Sequence, residues 1–180
     1  MIRGPVIETP RLILRPPLAE DLDGFCELMA DEDAAKFIGG LQPRAAVWRT
    51  LCMMSGAWSI RGFSMFSVIE KSTGNWIGRL GPWQPEGWPG TEVGWGLLTL
   101  AQGRGYAAEG ASAAMDYAVD SLGFTEIIHC IDPKNAPSIK LAERLGSRKL
   151  GEAVAPAPIP HTVWDVYGQT ADTWRARRLE

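Results

Sequence analysis

The chain has 180 residues, of which 46% are hydrophobic and 22% are charged, and its formal net charge at pH 7 is -3. This length and composition are typical of a globular protein with a sizeable core, so we expect residues 1–180 to form one domain. A negative net charge lacks the positive field that most nucleic-acid-binding proteins use, which argues against a nucleic-acid partner. No apolar run reaches the roughly 20 residues of a membrane helix and no signal peptide is recognisable, so we expect no membrane partner and a cytoplasmic location.

The cysteines and histidines do not form a pattern typical of a metal site or of a disulfide framework. Cys26, Cys52 and Cys130 are far apart, and His129 and His161 are the only histidines. Cys130 follows His129 directly, but neighbours on a strand point to opposite faces, so they cannot exchange a proton as a nucleophile and its base. We expect no metal, a buried Cys130 and a His129 at the surface.

The first half of the chain predicts helices followed by a hairpin. In chain order we expect a strand, a helix interrupted near Asp31, a second helix and two strands: Arg11–Arg15, Leu18–Phe37, Ala45–Trp58, Phe63–Glu70 and Asn75–Trp83. The loop Lys71–Gly74 has the length and composition of a hairpin turn, so the two strands should pair antiparallel.

In the second half, strands and helices alternate. In chain order we expect a strand, a helix, a strand, a helix and two closing extended segments, followed by a polar tail. The six ranges are Thr91–Leu98, Tyr106–Leu122, Glu126–Ile131, Pro137–Leu145, Arg148–Gly151 and Thr162–Tyr167. Gly123 and Gly146 follow the two helices at positions typical of C-caps.

The turn that opens the helix at Tyr106 has the features of an anion-binding site. Gly103 and Gly105 let the backbone approach a ligand, and the first N–H groups of the helix are unpaired. The helix dipole adds partial positive charge, which suits a pyrophosphate. Glycines before a helix are also common as plain turn residues, so the surrounding pattern must decide.

A dinucleotide-binding fold is one alternative for this turn. Gly103-x-Gly105-x-x-Ala108 follows a strand and opens a helix, and Asp132 ends the next strand, where it would hold a ribose. The motif nevertheless begins after about 100 residues and leaves too little chain for a doubly wound sheet. A kinase-type phosphate loop is excluded because Tyr106 stands where that motif needs Lys.

The order of elements, together with three motifs, resembles the GNAT superfamily of acetyl-coenzyme A (acetyl-CoA) dependent N-acetyltransferases. The motifs are Thr9–Arg15, Gly103–Glu109 and Asn135–Ser138, and they are most similar to the ribosomal-protein N-terminal acetyltransferase branch. The resemblance implies an α/β (α+β) GNAT fold: a single mixed, mostly antiparallel sheet with a central splayed strand pair, flanked by helices on both faces.

The resemblance also implies acetyl-CoA as co-substrate and a set of residues that bind it. The pyrophosphate would lie on the amides from Gly103 to Ala108, the pantetheine arm would pair with the splayed strand, and Asn135 would contact that arm. The implied cofactor-binding residues are Leu97, Leu98, Thr99, Gln102, Gly103, Arg104, Gly105, Tyr106, Ala107, Ala108, Asn135 and Ser138. For Asn135 the alternative is plain helix capping.

Positive charge near these motifs offers partners for the further phosphate at the adenosine end of CoA. The residues are Lys134, Lys140, Arg144, Arg148 and Lys149. A solvated charged face is the alternative interpretation.

Two residues are the predicted catalytic groups. Glu92, on the strand before the anion-binding turn, would accept the amine proton directly or through water, unless it is a solvent-facing strand residue. Many relatives place a Tyr seven residues after the motif Asn as the acid, but Ala142 stands there and Ser147 replaces a usual Phe. In the resembling branch Ser138 would take that role, with Tyr106 and Tyr167 as weaker alternatives.

The acceptor is predicted to be a peptide or small-molecule amine bound by the first helices, the Trp83–Trp88 loop and the loop before His161. Trp48, Trp83, Trp88 and Trp164 would form its walls. Because Tyr and Phe of the usual pattern are missing, a non-catalytic acyl-CoA sensor is a further alternative. A monomer and a homodimer are both compatible with the sequence.

Overall fold

A computed structural model describes residues 4–157, 159 and 162–178. The strands are β1 (Ile7–Glu8), β2 (Leu12–Arg15), β3 (Phe66–Glu70), β4 (Trp76–Trp83), β5 (Glu92–Leu97), β6 (Glu126–Ile131), β7 (Arg148–Val154) and β8 (Val163–Thr170). The α-helices are α1 (Leu22–Ala30), α2 (Glu32–Ala35), α3 (Arg44–Ile60), α4 (Tyr106–Asp120), α5 (Ala136–Arg144) and α6 (Ala171–Arg177).

All eight strands belong to one mixed sheet in the order β1-β2-β3-β4-β5-β6-β8-β7. Neighbouring strands are antiparallel except β5 and β6, which are parallel and pair only at Glu92 and Ile128. Beyond that pair the two strands diverge, and we call this divergence the fork. The sheet confirms the GNAT fold and excludes the doubly wound dinucleotide fold, which needs several adjacent parallel strands.

Helices cover both faces of the sheet, as expected. Because side chains alternate along a strand, Val93 and Leu97 lie in the core that includes α4, whereas Leu98 lies in the core with α1 and α3. The two cores therefore lie on opposite faces of β5, whose carboxyl end diverges from β6 in the fork.

Small residues let α4 approach the sheet closely. A Cβ atom added to Gly110 would lie 2.5 Å from Leu80 Cδ2 and 3.3 Å from Leu12 Cδ1. Ala111, Ala114 and Ala118 on the same helix are also buried. The amino end of α4 is therefore held at a fixed depth over β4 and β5.

The predicted polar tail is wrong, because it contains helix α6. Trp174 is buried and its Nε1 donates to Asp116 Oδ1 of α4 at 2.9 Å, while Arg178 pairs with Asp116 at 2.7 Å and Asp120 at 2.6 Å. Only two apolar residues, Ala171 and Trp174, mark its buried side, which is too few for a recognisable helical period.

The remaining differences concern element ends. The two-residue strand β1 was not predicted, the long first helix is a 3-10 turn followed by α1 and α2, and β7 and β8 extend beyond their predicted ends. Trp48, predicted in the core-facing stripe of α3, is half exposed, whereas Val47, Leu51 and Met54 are buried. In the described ranges, no helix combines the length and apolar character that crossing a membrane requires.

Candidate active site

An open cleft of about 460 Å³ lies at the carboxyl end of β5. Its walls are the end of β5, the amino ends of α4 and α5, and the segment 33–38. Most of the predicted cofactor-binding residues line it: Leu97, Gln102, Gly103, Gly105, Tyr106, Ala107, Ala108, Asn135 and Ser138. Leu98, Thr99 and Arg104 do not.

The register of β4 and β5 decides which backbone groups of β5 face the cleft. The Leu98 N–H donates to the Ile77 carbonyl at 3.0 Å, so Leu98 is turned toward β4 and is not available to a ligand in the fork. Since the hydrogen-bonding direction alternates along a strand, Val93, Trp95 and Leu97 direct their backbone groups away from β4. The edge that pantetheine would need therefore lies at Trp95 and at the Leu97 N–H, beginning two residues before the predicted stretch, while the Leu97 carbonyl already accepts from Gln102 Nε2 at 3.0 Å.

The turn before α4 has the conformation that its glycines predict. Gly103 and Gly105 have φ angles of 71° and 81°, and Gly105 is the N-cap of α4. Left-handed backbone at these two positions aims the first N–H groups of α4 at the cleft. The geometry is that of an anion-binding helix terminus.

The side chains of Tyr106 and Arg104 point away from the cleft toward a buried carboxylate. The Tyr106 hydroxyl donates to Glu70 Oε1, and Arg104 lies 3.2 Å from the same oxygen. The Tyr106 hydrogen bond, with Thr73 and Arg104, lowers the pKa of Glu70. The Tyr106 hydroxyl is therefore engaged in a structural contact, which disfavours Tyr106 as an acid.

Arg11 ties this turn to β2. Its Nε lies 2.6 Å from Glu109 Oε2, its NH1 donates to the Arg104 carbonyl at 2.9 Å, and its guanidinium stacks 4.5 Å from the centre of the Tyr106 ring. Glu109 Oε1 also accepts from Thr9 at 2.6 Å. The motifs that carry the resemblance, Thr9–Arg15 and Gly103–Glu109, thus contact each other directly.

Helix α5 contributes a polar wall at its amino end. Asn135 Oδ1 accepts from the Ser138 N–H at 3.3 Å, so the capping interpretation of Asn135 holds, although Asn135 also lines the cleft. Ser138 Oγ accepts from Trp95 Nε1 at 3.2 Å. The Ser138 hydroxyl is therefore oriented by a donor on the opposite wall.

The predicted basic cluster separates into two groups. Lys140 and Arg144 line the cleft, whereas Lys134, Arg148 and Lys149 do not. Lys149 instead lies 2.6 Å from Asp165. Two cations thus remain beside the candidate CoA site.

Glu92 is buried at the fork, so the solvent-facing alternative is wrong. Its Oε1 accepts from the Cys130 N–H at 3.1 Å and its Oε2 from Trp88 Nε1 at 2.5 Å. Burial raises the pKa of Glu92 to about 7, although these hydrogen bonds and Arg79 oppose the rise. Glu92 does not line the cleft itself but lies on the opposite face of β5 from Trp95 and Leu97.

Three of the four predicted acceptor-site tryptophans form a cluster above Glu92. The ring centre of Trp88 lies 5.0 Å from that of Trp164 and 6.4 Å from that of Trp83. Trp48 is on α3 and does not join this cluster. The loop before His161 lies partly outside the described residues, and His161 itself is not described.

The predicted surface position of His129 is wrong, whereas Cys130, predicted to be buried, is partly buried. His129 is only 1% exposed and Cys130 is half-buried. The two side chains do lie on opposite faces, because His129 contacts Val93 and Ser147 whereas Cys130 faces Glu92. A neutral imidazole with two hydrogen-bond partners is tolerated inside the core, which the sequence pattern alone does not reveal.

Comparison with known proteins decides the family. The acetyltransferase (GNAT) domain family matches residues 11–148. This chain belongs to the GNAT acetyltransferase family. It is 33% identical over 147 residues to an uncharacterised N-acetyltransferase, p20, of Bacillus licheniformis, covering 79% of this chain and 82% of p20.

Solved structures agree with this GNAT assignment. An acetyltransferase from Agrobacterium tumefaciens has a TM-score of 0.80 at 29% identity and covers 94% of this chain, which covers 96% of that one. The ribosomal-protein-S5-alanine acetyltransferase from Vibrio fischeri has a TM-score of 0.70 at 17% identity, with 95% and 99% coverage. The second likeness shows the fold alone.

Several residues of the GNAT cleft were missed from sequence. Trp95 and Gly96 line it from β5, and Phe37 and Ile38 line it from the segment after α2. Trp95 carried a signal, since it lies on the predicted splayed strand, but the direction of its side chain depends on register. Phe37 and Ile38 carried none beyond their apolar character.

Proposed function

We propose that this protein transfers the acetyl group of acetyl-CoA to a primary amine, either a protein N-terminus or a small molecule, by direct attack in a ternary complex. The observation that supports it most is the cleft itself. One strand edge, at Trp95 and the Leu97 N–H, leads to the glycine turn of α4, and Asn135, the N-cap of α5, lines the same cleft.

In this proposal, the cleft provides partners for the pyrophosphate, the pantetheine arm and the further phosphate of CoA. The amides from Gly103 to Ala108 would bind the pyrophosphate, and the edge of β5 would pair with pantetheine as an added strand. Lys140 and Arg144 are placed for the further phosphate at the adenosine end. Leu98 and Thr99, predicted to pair with pantetheine through their backbone, are left out of this proposed set because they do not line the cleft and the Leu98 N–H donates to Ile77.

Ser138 is the proposed acid for the departing thiolate. Because the Ser138 oxygen already accepts from Trp95 Nε1, its own hydroxyl hydrogen is free to donate elsewhere. When the amine nitrogen forms the amide bond, the carbon–sulfur bond breaks and the sulfur takes this hydrogen bond or a proton. Ser138 lines the cleft, so a donor is present where the thioester would lie.

Glu92 is the proposed acceptor for the amine proton, through water. A carboxylate with a pKa of about 7 is well matched to proton transfer near neutral pH. Since Glu92 is buried and lies on the far face of β5, a water would connect it to the amine. The Trp83, Trp88 and Trp164 cluster above it would border the acceptor.

The direct test titrates the protein with acetyl-CoA by calorimetry and compares Ala108→Glu with Ala108→Gln. Both side chains have the same size, but the carboxylate repels the pyrophosphate while interacting favourably with the helix dipole. We expect binding to weaken at least about tenfold in Ala108→Glu relative to Ala108→Gln, a difference of about 1.4 kcal/mol. Equal binding of acetyl-CoA by both variants would contradict the proposed pyrophosphate site.

A second step distinguishes the enzyme from the acyl-CoA sensor. The protein is incubated with acetyl-CoA and a panel of peptides with free N-termini, polyamines and amino acids, and free thiol is measured. Release of thiol that depends on one class of amine supports the transferase and identifies its acceptor. Tight binding of acetyl-CoA without thiol release would favour the sensor.

The cytoplasmic location and the oligomeric state stay predictions.

A further inference from the structure

Side chains replace the backbone hydrogen bonds that would continue the pairing of β5 and β6. The Ile128 N–H donates to the Thr91 carbonyl at 3.0 Å, as in an ordinary parallel ladder. The next rung would join the Cys130 N–H to the Val93 carbonyl. Instead, the Cys130 N–H donates to Glu92 Oε1 at 3.1 Å, and His129 Nδ1 lies 2.7 Å from the Val93 carbonyl oxygen.

The hydrogen bonds around His129 define its tautomer and its orientation. A carbonyl only accepts, so Nδ1 must carry the hydrogen that binds Val93. Burial lowers the pKa of His129 to about 4, so the ring is neutral near pH 7 and Nε2 accepts. The Ser147 hydroxyl lies 3.0 Å from Nε2 and in turn accepts from Gln169 Nε2 at 3.0 Å.

The same imidazole supports one wall of the cleft. The ring centres of His129 and Trp95 are 4.9 Å apart, and Trp95 Nε1 donates to Ser138 Oγ. His129 is therefore in contact with β5 twice, at the Val93 carbonyl and at the Trp95 ring. Both contacts lie at the start of the free strand edge.

We propose that His129 is a positioning residue that holds the fork open, by occupying the Val93 carbonyl that would otherwise pair with β6. Glu92 occupies the opposite group, the Cys130 N–H. With both groups satisfied, β5 and β6 gain no backbone hydrogen bond by closing, and the edge at Trp95 and the Leu97 N–H stays unpaired with β6; the Leu97 carbonyl accepts from Gln102 Nε2. This inference rests on the proposed function in that pantetheine is the ligand of that edge.

The first test compares three variants for acetyl-CoA binding. The Asn amide nitrogen can take the place of Nδ1, so His129→Asn should bind acetyl-CoA nearly as the wild type does. His129→Leu has no donor, and we expect its Kd to rise about tenfold or more, with KM affected more than kcat. Ile127→Ala, a cavity in the same strand and face, is the control that lowers stability without weakening binding. Equal affinities of His129→Leu and His129→Asn would overturn the proposal.

The second test needs no ligand. In nitrogen-15 labelled protein, we expect the Trp95 amide to exchange its hydrogen rapidly in the wild type and in His129→Asn, and slowly in His129→Leu, where the next rungs can form. Unchanged exchange in His129→Leu would overturn the proposal. If His129→Leu does not fold, Ser147→Ala, which removes the partner of Nε2, should shift both readouts in the same direction.

These two tests separate the failure of the inference from that of the proposed function. A wild-type protein that does not bind acetyl-CoA contradicts the proposed function, and the exchange of the Trp95 amide then decides alone whether His129 holds the fork. If the wild type binds acetyl-CoA tightly, and His129→Leu changes neither the affinity nor the exchange of the Trp95 amide, the proposed function stands. The proposed role of His129 is then wrong.

Discussion

Glu92 combines two properties that rarely occur together at a strand residue. Both of its oxygens accept a hydrogen bond, yet burial raises its pKa to about 7. A carboxyl group in this state exchanges its proton near neutral pH, which an exposed glutamate does not do.

We therefore expect the activity to depend on the ionisation of Glu92. In the wild type, kcat/KM with the identified amine should fall as the pH drops below about 7, because the protonated carboxyl cannot act as a base. Glu92→Gln should lower kcat by about a hundredfold or more and abolish this limb of the pH profile. Steady-state kinetics from about pH 5.5 to about pH 9 on the two proteins measure both effects.

Glu86→Gln is the matched control for that prediction. Glu86 lies in the same loop region as Trp88, but its side chain is fully exposed. Its pH profile should match that of the wild type. A Glu92→Gln protein that retains the acidic limb would show that another group, or the amine itself, is responsible.

Ser138 should affect chemistry more than binding. Removing its hydroxyl in Ser138→Ala takes away the donor for the thiolate, so kcat should fall about tenfold while the Kd for acetyl-CoA changes little. Trp95→Phe keeps an aromatic ring but loses the N–H that orients Ser138, so a smaller loss of kcat is expected. Calorimetry and initial rates check the two parts; a loss confined to the Kd would argue against Ser138 as the acid.

Among the elements, α4 is the helix whose placement the cleft depends on most. Gly110 marks its closest approach to β4, and the Arg11 and Glu109 pair holds its first turn to β2. Interiors are packed densely enough that a single extra methyl group at such a contact forces neighbouring atoms to move.

The same substitution at two helical glycines should have opposite effects on stability. Gly110→Ala places a Cβ 2.5 Å from Leu80 Cδ2 and should lower the free energy of unfolding by about 1–3 kcal/mol. Gly56→Ala in α3 meets no atom within 4 Å and should raise it by up to about 1 kcal/mol, because alanine favours helix. Urea unfolding of the two variants checks the signs, and a stabilising Gly110→Ala would contradict the close packing of α4.

At the level of elements, sequence periodicity was sufficient where the pattern was long. The bounds of β6 and the start of α4 were predicted correctly, because alternation and the Gly103 and Gly105 turn are local signals. The two-residue β1 and the short α6 carry too few periodic positions to be recognised. The segment predicted as a polar tail forms a helix because only Ala171 and Trp174 are needed to bury it, and two positions do not make a recognisable period.

For the site, backbone groups were easier to predict than side chains. The glycine turn and Asn135 were found because their motifs have fixed spacing, whereas Leu98 was included although its N–H binds Ile77. The role of β5 residues depends on register, and one residue of shift exchanges the two faces. The contacts of His129 and Glu70 join segments far apart in the chain, which no local pattern encodes.

Across the whole molecule, the two buried groups at the fork should have opposite effects on the pH dependence of stability. The pKa of His129 falls from 6.5 to about 4 on folding, so its contribution is present above pH 6.5 and is lost as the pH drops toward 4. The pKa of Glu92 rises from 4.5 to about 7, so its contribution is present below pH 4.5 and is lost as the pH rises toward 7. Between about pH 4.5 and 6.5 the two trends oppose each other.

Single variants should reveal each trend. Between pH 4 and 6.5, the free energy of unfolding of the wild type should rise by roughly 3 kcal/mol relative to that of His129→Asn. Between pH 4.5 and 7, it should fall by a similar amount relative to that of Glu92→Gln. Urea unfolding at several pH values measures both differences. Two differences with the same sign would contradict the buried, neutral state of one of the groups.

The contacts of α6 also govern when this fold can be completed during synthesis. Trp174 and Arg178 reach back to Asp116, 58 and 62 residues earlier in the chain, while Arg11 holds the other end of the same helix. A ribosome that has just added Asp116 has already made the amino-terminal support of α4 but must still add 58 residues to reach Trp174. The residues that secure the far end of that helix are therefore synthesised well after its glycine turn and after every residue that lines the cleft, so the full packing of α4 is a late product of translation.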